Sequence, residues 1–304
     1  MASYRLLSYQ SPTGPRSAIA LEDKVHDLER ATGRADYGSI LGVLADWSAA
    51  RPALETLAGG LRGDSGMPLA EVRVLAPVLY PPAIYCAGAN YSDHTANMAK
   101  LHNLPVDPDP RGSGKKPWHF IKASRCTVGP GVTVALPSEK LDWEVELAVV
   151  IGATARDIPV ERALDVVAAY TAANDLSARD LSRRPGVADA SPFKYDWIGQ
   201  KCFDGACPMG PWLVPASQVG DPQQLALRLW VNDTLRQDSN TGRMIFNVAE
   251  QIAYLSSRIT LYPGDVILTG TPAGVGAETG VFLARGDSVR ISIEKIGELV
   301  TSIA

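Results

Sequence analysis

Residues Asp142 to Gly152 read DWEVELAVVIG, an apolar run interrupted by two carboxylates, Glu144 and Glu146, two positions apart. A run of this length and composition reads as a strand. Strand side chains alternate between faces, so both acids point one way while Trp143, Val145 and Leu147 point the other. Two like charges side by side on a half-buried strand are repelled and desolvated, which leads to protonation, pairing or capture of a cation. A divalent ion answers both carboxylates at once; the competing reading is a solvated strand face with two exposed acids. The rest of the chain has to decide between them.

At 304 residues, with 46% hydrophobic and 20% charged residues, the chain can build a sizeable core and is neither disordered nor fibrous. The 29 basic and 33 acidic residues leave a net charge of −4, with no basic run long enough to track a phosphate backbone. We therefore expect no nucleic-acid partner. The start, MASYRLLSYQSPTG, lacks the succession of a signal peptide. No stretch approaches the roughly 20 apolar residues of a membrane span, so we expect a cytoplasmic protein that does not act on membranes. Cys86, Cys126, Cys202 and Cys207 have no CxxC spacing and read as reduced thiols.

Short strands around turn signals fill the region from Tyr4 (YRLLSY, then AIALEDKVHDL), followed by a helix near Tyr37 to Ser48. Tyr37, Ile40, Leu41, Leu44 and Trp47 fall at helical spacing and predict one buried face. The proline-rich Leu75 to Pro82 reads as a hinge, which divides the chain into a small N-terminal α+β domain, 1–74, and a main domain, 75–304. The main domain opens with a strand over Ala83 to Ala87. The polar segment Leu101 to Lys116 then reads as a mobile loop. Val160, Leu164, Val167, Ala168 and Thr171 recur at helical spacing and predict a helix from Pro159 to Asn174-Asp175. Strands are expected over 225–231, 265–268 and 288–293, with a helix near 248–255. Strands outnumber helices without regular alternation, so the fold class is α+β.

A helix returning over the sheet would carry Asp175 back towards Glu144 and Glu146. Three carboxylates with no His or Cys cluster select a hard ion, Mg²⁺, Mn²⁺ or Ca²⁺, over zinc or copper.

Several segments, in order, resemble the fumarylacetoacetate hydrolase family: GANYSDH (88–94), HFIKAS (119–124), DWEVELAVVIG, NDLSARD (174–180), QKCFDGACPMGPWLV (200–214), VNDTLRQ (231–237) and PGDVILTGTPAGVG (263–276). The resemblance runs from about Pro81 to the end. It implies a mixed-sheet β-roll, a smaller N-terminal domain, a homodimer, and a metal, Mg²⁺ first, held by Glu144, Glu146 and Asp175. It also implies a small 2-oxo acid as substrate, chelated by the ion, with carbon–carbon bond cleavage through a stabilised enolate.

His94 matches the family's lid histidine and is the candidate base. Where many hydrolytic members carry a glutamate three residues later, this chain has Asn97, which can hydrogen-bond an imidazole but cannot stabilise imidazolium by charge. Water activation is then either weaker or supplied by another acid, Asp93 among them. Three readings follow: a hydrolase of acylpyruvate-like acids, an isomerase or decarboxylase using the same ion, or a silent metal-carboxylate binder. Lys201 and Lys122 match family lysines near the metal and pocket. Gly270 and Thr271, in TGTPAGVG, offer a backbone N–H and a hydroxyl to an anion. Arg179 would orient Asp175 or meet substrate, and Gln237 would donate to its distal end. Loop residues His102 and His119 are alternative bases, and Trp118 suggests an aromatic lid.

Overall fold

The first turn signals, around Pro12 and at Glu22, reverse the chain into a meander of β1 (Arg5–Ser11), β2 (Gly14–Leu21) and β3 (Lys24–Asp27). The structure, a computed structural model, describes residues 3–61, 66–101 and 103–304. The periodic stretch from Tyr37 forms two helices, α1 (Ile40–Ala45) and α2 (Trp47–Gly60), broken at Asp46, where a single helix ending near Ser48 was expected. Tyr37, Ile40, Leu44 and Trp47 are buried as their spacing predicts, and Leu41 is half-buried.

After the proline segment come β4 (Ile84–Gly88), α3 (Ser92–Leu101) and β5 (Trp118–Lys122). Between α3 and β5 the polar insertion makes turns instead of a core. Asp107 binds Lys115 at 2.7 Å, and Arg111 reaches Glu250 at 2.6 Å. His102 lies outside the described residues.

The motif strand is β6 (Val145–Ile151), paired antiparallel with β7 (Val167–Asn174). Here the sequence expectation needs correcting. Only Val160–Val166 is helical, as a 3-10 segment, and Val167 onwards is strand. All eight residues of β7 are buried, so both faces are apolar and no alternation marks it as a strand; such runs cannot be told from buried helix by periodicity.

The chain continues through β8 (Cys207–Pro215), β9 (Ala226–Val231), β10 (Thr234–Asn240), α4 (Val248–Arg258), β11 (Val266–Leu268), α5 (Gly276–Thr279), β12 (Ser288–Ile293) and β13 (Gly297–Ile303). Helix α4 starts where Asn247 and Glu250 form a reciprocal capping box.

The main sheet runs β3-β2-β1-β8-β7-β6-β11-β4-β5, and a second sheet runs β10-β9-β12-β13. β11 and β4 are parallel while β6 pairs antiparallel with both neighbours, so the sheet is mixed. β1 meets β8 at Leu6 and Leu213, which carries the sheet across the proline segment without interruption. Val145, Leu147, Val149 and Ile151 face a core shared with Leu227, Leu229 and Ile291 of the second sheet. Ala148 and Val150, on the opposite face, pack under Ile40, Leu44 and Leu54 of α1 and α2. That face is therefore covered along β6 except at the end carrying Glu144 and Glu146. Among the described residues no helix is long and apolar enough to cross a membrane.

Candidate active site

Antiparallel register assembles the acidic trio. Val145 stands opposite Asn174, so Glu144, just before β6, and Asp175, just after β7, meet at one end, and Asp175 N donates to Glu144 O at 3.0 Å. Asp175 arrives on a strand, not on the expected helix. One carboxylate oxygen from each of Glu144, Glu146 and Asp175 lies within 4.8 Å of the others. The three are 6%, 1% and 1% exposed, which removes the solvated-face reading.

Cations surround two of the three acids. Lys201 Nζ donates to Asp175 Oδ2 at 2.7 Å and to Glu144 Oε2 at 3.1 Å, and Lys122 Nζ donates to Asp175 Oδ1. Arg179 donates to Glu144 Oε1 and, at 2.9 Å, to Asp142 Oδ2. Among the described residues Glu146 alone of the trio has no ion pair; it accepts the Gly270 N–H at 2.6 Å. Burial pushes the Glu144 carboxyl up, but Lys201 and Arg179 outweigh it and hold it at about 2. Burial, and then the charges of Asp175 and Glu144, push the Glu146 carboxyl well above its usual range. A carboxylate so placed lacks positive charge, and three converging carboxylate oxygens are the donor set of a hard divalent cation. The residues fit such an ion.

Asp142, fully buried, anchors this arrangement. Besides Arg179, it accepts the backbone N–H groups of Gly276 at 2.5 Å and Ala277 at 3.0 Å. Asp142 was not singled out in the sequence, although its parity with Glu144 and Glu146 on an alternating strand marked it.

On the opposite wall, His94 occupies the first turn of α3, and its Nδ1 lies 2.7 Å from Glu278 Oε1. Asn97, one turn on, donates to Glu278 Oε2 at 2.9 Å, and Gly274 N–H donates to the same oxygen at 3.0 Å. Burial raises the Glu278 carboxyl, but hydrogen bonds from His94, Asn97 and Gly274 hold it below its ordinary value. Gly274 has φ +101°, and a Cβ there would lie 2.0 Å from Arg236 O, so the turn that presents Glu278 requires glycine. Asp93 is not the partner of the imidazole. Its carboxylate accepts from Ala273 N at 3.3 Å and Ser239 Oγ at 3.2 Å, tying α3 to the glycine-rich loop.

A cavity of about 150 Å³ opens between these walls, lined by His94, Glu144, Glu146, Arg179, Lys201 and Thr271. Trp118, Phe120 and Trp197 form its aromatic side, with Phe120 and Trp197 stacked at 5.6 Å. Gln200, Phe120 and Trp197 escaped the sequence reading. Two residues expected at the pocket are engaged within the protein. Lys122 was expected to face the pocket but is enclosed behind Asp175, holding it and Leu176 O. Gln237 was expected to meet substrate, yet it accepts from Val145 N and donates to Thr271 Oγ1 and Pro272 O, fixing the loop to β6. Gly270 serves Glu146. His119 lies on the face of β5 away from the cavity, stacked on Tyr254 at 6.2 Å.

The family model described as fumarylacetoacetate hydrolase C-terminal matches residues 83–304. The Homo sapiens protein named oxaloacetate tautomerase FAHD2B, mitochondrial, is 43% identical over 242 residues, 78% of this chain and 71% of its own. The 2,4-didehydro-3-deoxy-L-rhamnonate hydrolase of Sphingomonas sp. (strain SKA58) is 41% identical over 266 residues, 84% of this chain and 87% of its own. A crystal structure of maleylpyruvate hydrolase from Sphingobium sp. SYK-6, in complex with manganese(II) and pyruvate, superposes with a TM-score of 0.74 at 30% identity, covering 99% of this chain and 98% of that one.

Proposed function

Because the chain belongs to the fumarylacetoacetate hydrolase family, we propose that it is a metal-dependent hydrolase cleaving the C3–C4 bond of a 2,4-dioxo, acylpyruvate-like acid. The observation that carries this reading is the His94–Glu278 pair facing the same cavity as the buried trio Glu144, Glu146 and Asp175. Glu144, Glu146 and Asp175 would hold a divalent ion, Mg²⁺ with Mn²⁺ as a substitute, which would supply Lewis acidity to a bound 2-oxo acid.

The protein groups divide the remaining work. Glu278 holds His94 Nδ1, which leaves Nε2 to take a proton from a water directed at the C4 carbonyl. The water oxygen bonds to C4, the C3–C4 pair shifts towards the 2-oxo group, and His94 returns the proton to C3. A 2-oxo acid and a free acid result. Arg179 and Lys201 set the charge and orientation of Glu144, and Lys201 with Lys122 holds Asp175. Thr271, its hydroxyl held by Gln237, lines the cavity.

Asn97 in the sequence left a silent binding protein open. Glu278 supplies the buried charge that asparagine cannot, which supports a working base. A second reading, tautomerisation or isomerisation of a small 2-oxo diacid, draws support from the 150 Å³ cavity and from the related oxaloacetate tautomerase. Incubation with acylpyruvates and with oxaloacetate, read by mass spectrometry and proton exchange, separates them. Paired 2-oxo acid and free acid products support hydrolysis; exchange at C3 without cleavage supports the second reading and rejects the first.

A homodimer and a cytoplasmic site of action belong to the same proposal. Light scattering and cell fractionation test them, the latter pointedly because the human relative is named as mitochondrial.

A further inference from the structure

A cleft of about 430 Å³ opens between the polar insertion and α4. The described residues that line it are distinct from those of the candidate active site. Glu250, Tyr254, Ser257 and Arg258 recur at three- to four-residue intervals on α4 and form one wall, as a single helix face does. Arg111, Lys115 and Lys116 of the insertion form the other. Tyr254 stacks on His119, which places the cleft behind β5 as seen from the acidic trio.

Four cations, Arg111, Lys115, Lys116 and Arg258, face this space against one carboxylate, Glu250. The whole chain carries a net charge of −4, so the cleft concentrates charge of the opposite sign. Glu250 is already engaged: its Oε2 accepts from Asn247 N at 2.7 Å in the capping box and from Arg111 at 2.6 Å. Lys115 is paired with Asp107 at 2.7 Å. Lys116 and Arg258, one on each wall, have no ion-pair partner among the described residues. Like charges around a concave space repel one another and focus a positive potential within it, which a multiply charged anion relieves.

The donors suit phosphate. The guanidinium of Arg258 lies 5.3 Å from the Tyr254 ring centroid and that of Arg111 6.0 Å from that of Phe246, so aromatic rings help to position both. A guanidinium offers a planar fork that pairs bidentately with phosphate, and lysine adds a point charge. A ligand that engages both walls needs anionic groups at more than one place, which a chain of phosphates supplies. The volume lies within the range of about 300–1,000 Å³ usual for small-molecule sites.

We propose that this cleft binds a small polyphosphate, which bridges Arg111 and Lys116 of the insertion to Arg258 of α4. The insertion leads from α3, which carries His94, into β5, which carries Phe120, so the ligand fastens the segment joining two walls of the candidate active site. Free inorganic polyphosphate and a nucleoside triphosphate share this chemistry.

The full chain in excess Mg²⁺ is titrated calorimetrically with phosphate, pyrophosphate, tripolyphosphate and ATP. Affinity should rise with each added phosphate. ATP binding at least as tightly as tripolyphosphate assigns the cleft to nucleotides, and weaker ATP binding assigns it to the inorganic chain. Lys116→Gln and Arg258→Gln, both at exposed positions, should each weaken tripolyphosphate binding about tenfold, while Glu146→Gln leaves it unchanged. Hydrogen exchange over 103–116 should slow when tripolyphosphate is bound. No binding of tripolyphosphate, or equal affinity for it and for phosphate, would overturn the proposal, as would binding that survives both cleft substitutions. Binding lost in Glu146→Gln but kept in Lys116→Gln and Arg258→Gln would place the anion at the acidic trio and overturn it as well.

Discussion

Glu278 Oε1 stands 2.7 Å from His94 Nδ1, joining α3 to the short helix α5, with the two residues 184 positions apart. The pairing gives His94 a buried carboxylate, and Asn97 holds that carboxylate in place from its other oxygen. Glu278→Gln keeps the shape and removes the charge. We expect kcat to fall on the order of 10²–10⁴-fold, as when the acid orienting a catalytic histidine is neutralised, with the melting temperature little changed. Asn97→Ala should cost less than about tenfold. The pH–rate profiles of both variants give the check, and an unchanged profile in Glu278→Gln would mean the carboxylate plays no part in proton transfer.

Lys122 makes a second, more structural prediction. Its side chain has no exposure and its ammonium is held by Asp175 and Leu176 O. Burial lowers the tendency of this amine to stay charged, but Asp175 more than compensates and raises it. Lys122→Met leaves the buried Asp175 with one cation fewer, a loss of about 3 kcal/mol by the usual cost of breaking a buried pair. A divalent cation should restore part of it, so the gain in melting temperature on adding Mg²⁺ should be larger in the variant than in the unaltered protein. Equal gains would argue that Asp175 does not share in holding the ion.

The trio was legible because alternation is a local rule: Glu144 and Glu146 had to share a face wherever the strand lay. The path of Asp175 was not. Val167 to Asn174 is buried on both faces, so its apolar residues satisfied a helical template by accident, and only the register with β6 shows a strand. Resemblance located His94 and Lys201 but could not reveal Glu278, whose partner lies far off in sequence and whose turn depends on Gly274. Gln237 and Lys122 were recognised as motif residues, while their structural roles became visible only once their polar atoms were seen to be engaged within the protein.

His119 predicts the acid sensitivity of the fold. Both ring nitrogens are enclosed, with no hydrogen bond of good geometry among the described residues, and burial, only partly offset by the nearby Gln251 amide, pulls its pKa from 6.5 down to about 4. The unfolded chain therefore takes up a proton between these values that the folded chain refuses, and stability declines as pH falls from about 6.5 to about 4. The full shift corresponds to at most about 3 kcal/mol. His119→Phe retains the stacking on Tyr254 and removes the proton. Urea unfolding at pH 7 and pH 4.5 should show a smaller pH-dependent loss in the variant, and identical losses would remove His119 from the account.

The most direct measurement is Mn²⁺ binding followed by electron paramagnetic resonance, with the unaltered chain and Glu146→Gln compared side by side. We predict one tightly held ion per chain, a spectrum altered by added pyruvate, and binding weakened at least about tenfold in Glu146→Gln, because the ion loses one of its three charged ligands. No stoichiometric binding to the unaltered chain, or equal binding by the variant, would contradict the claim that these three carboxylates hold the metal.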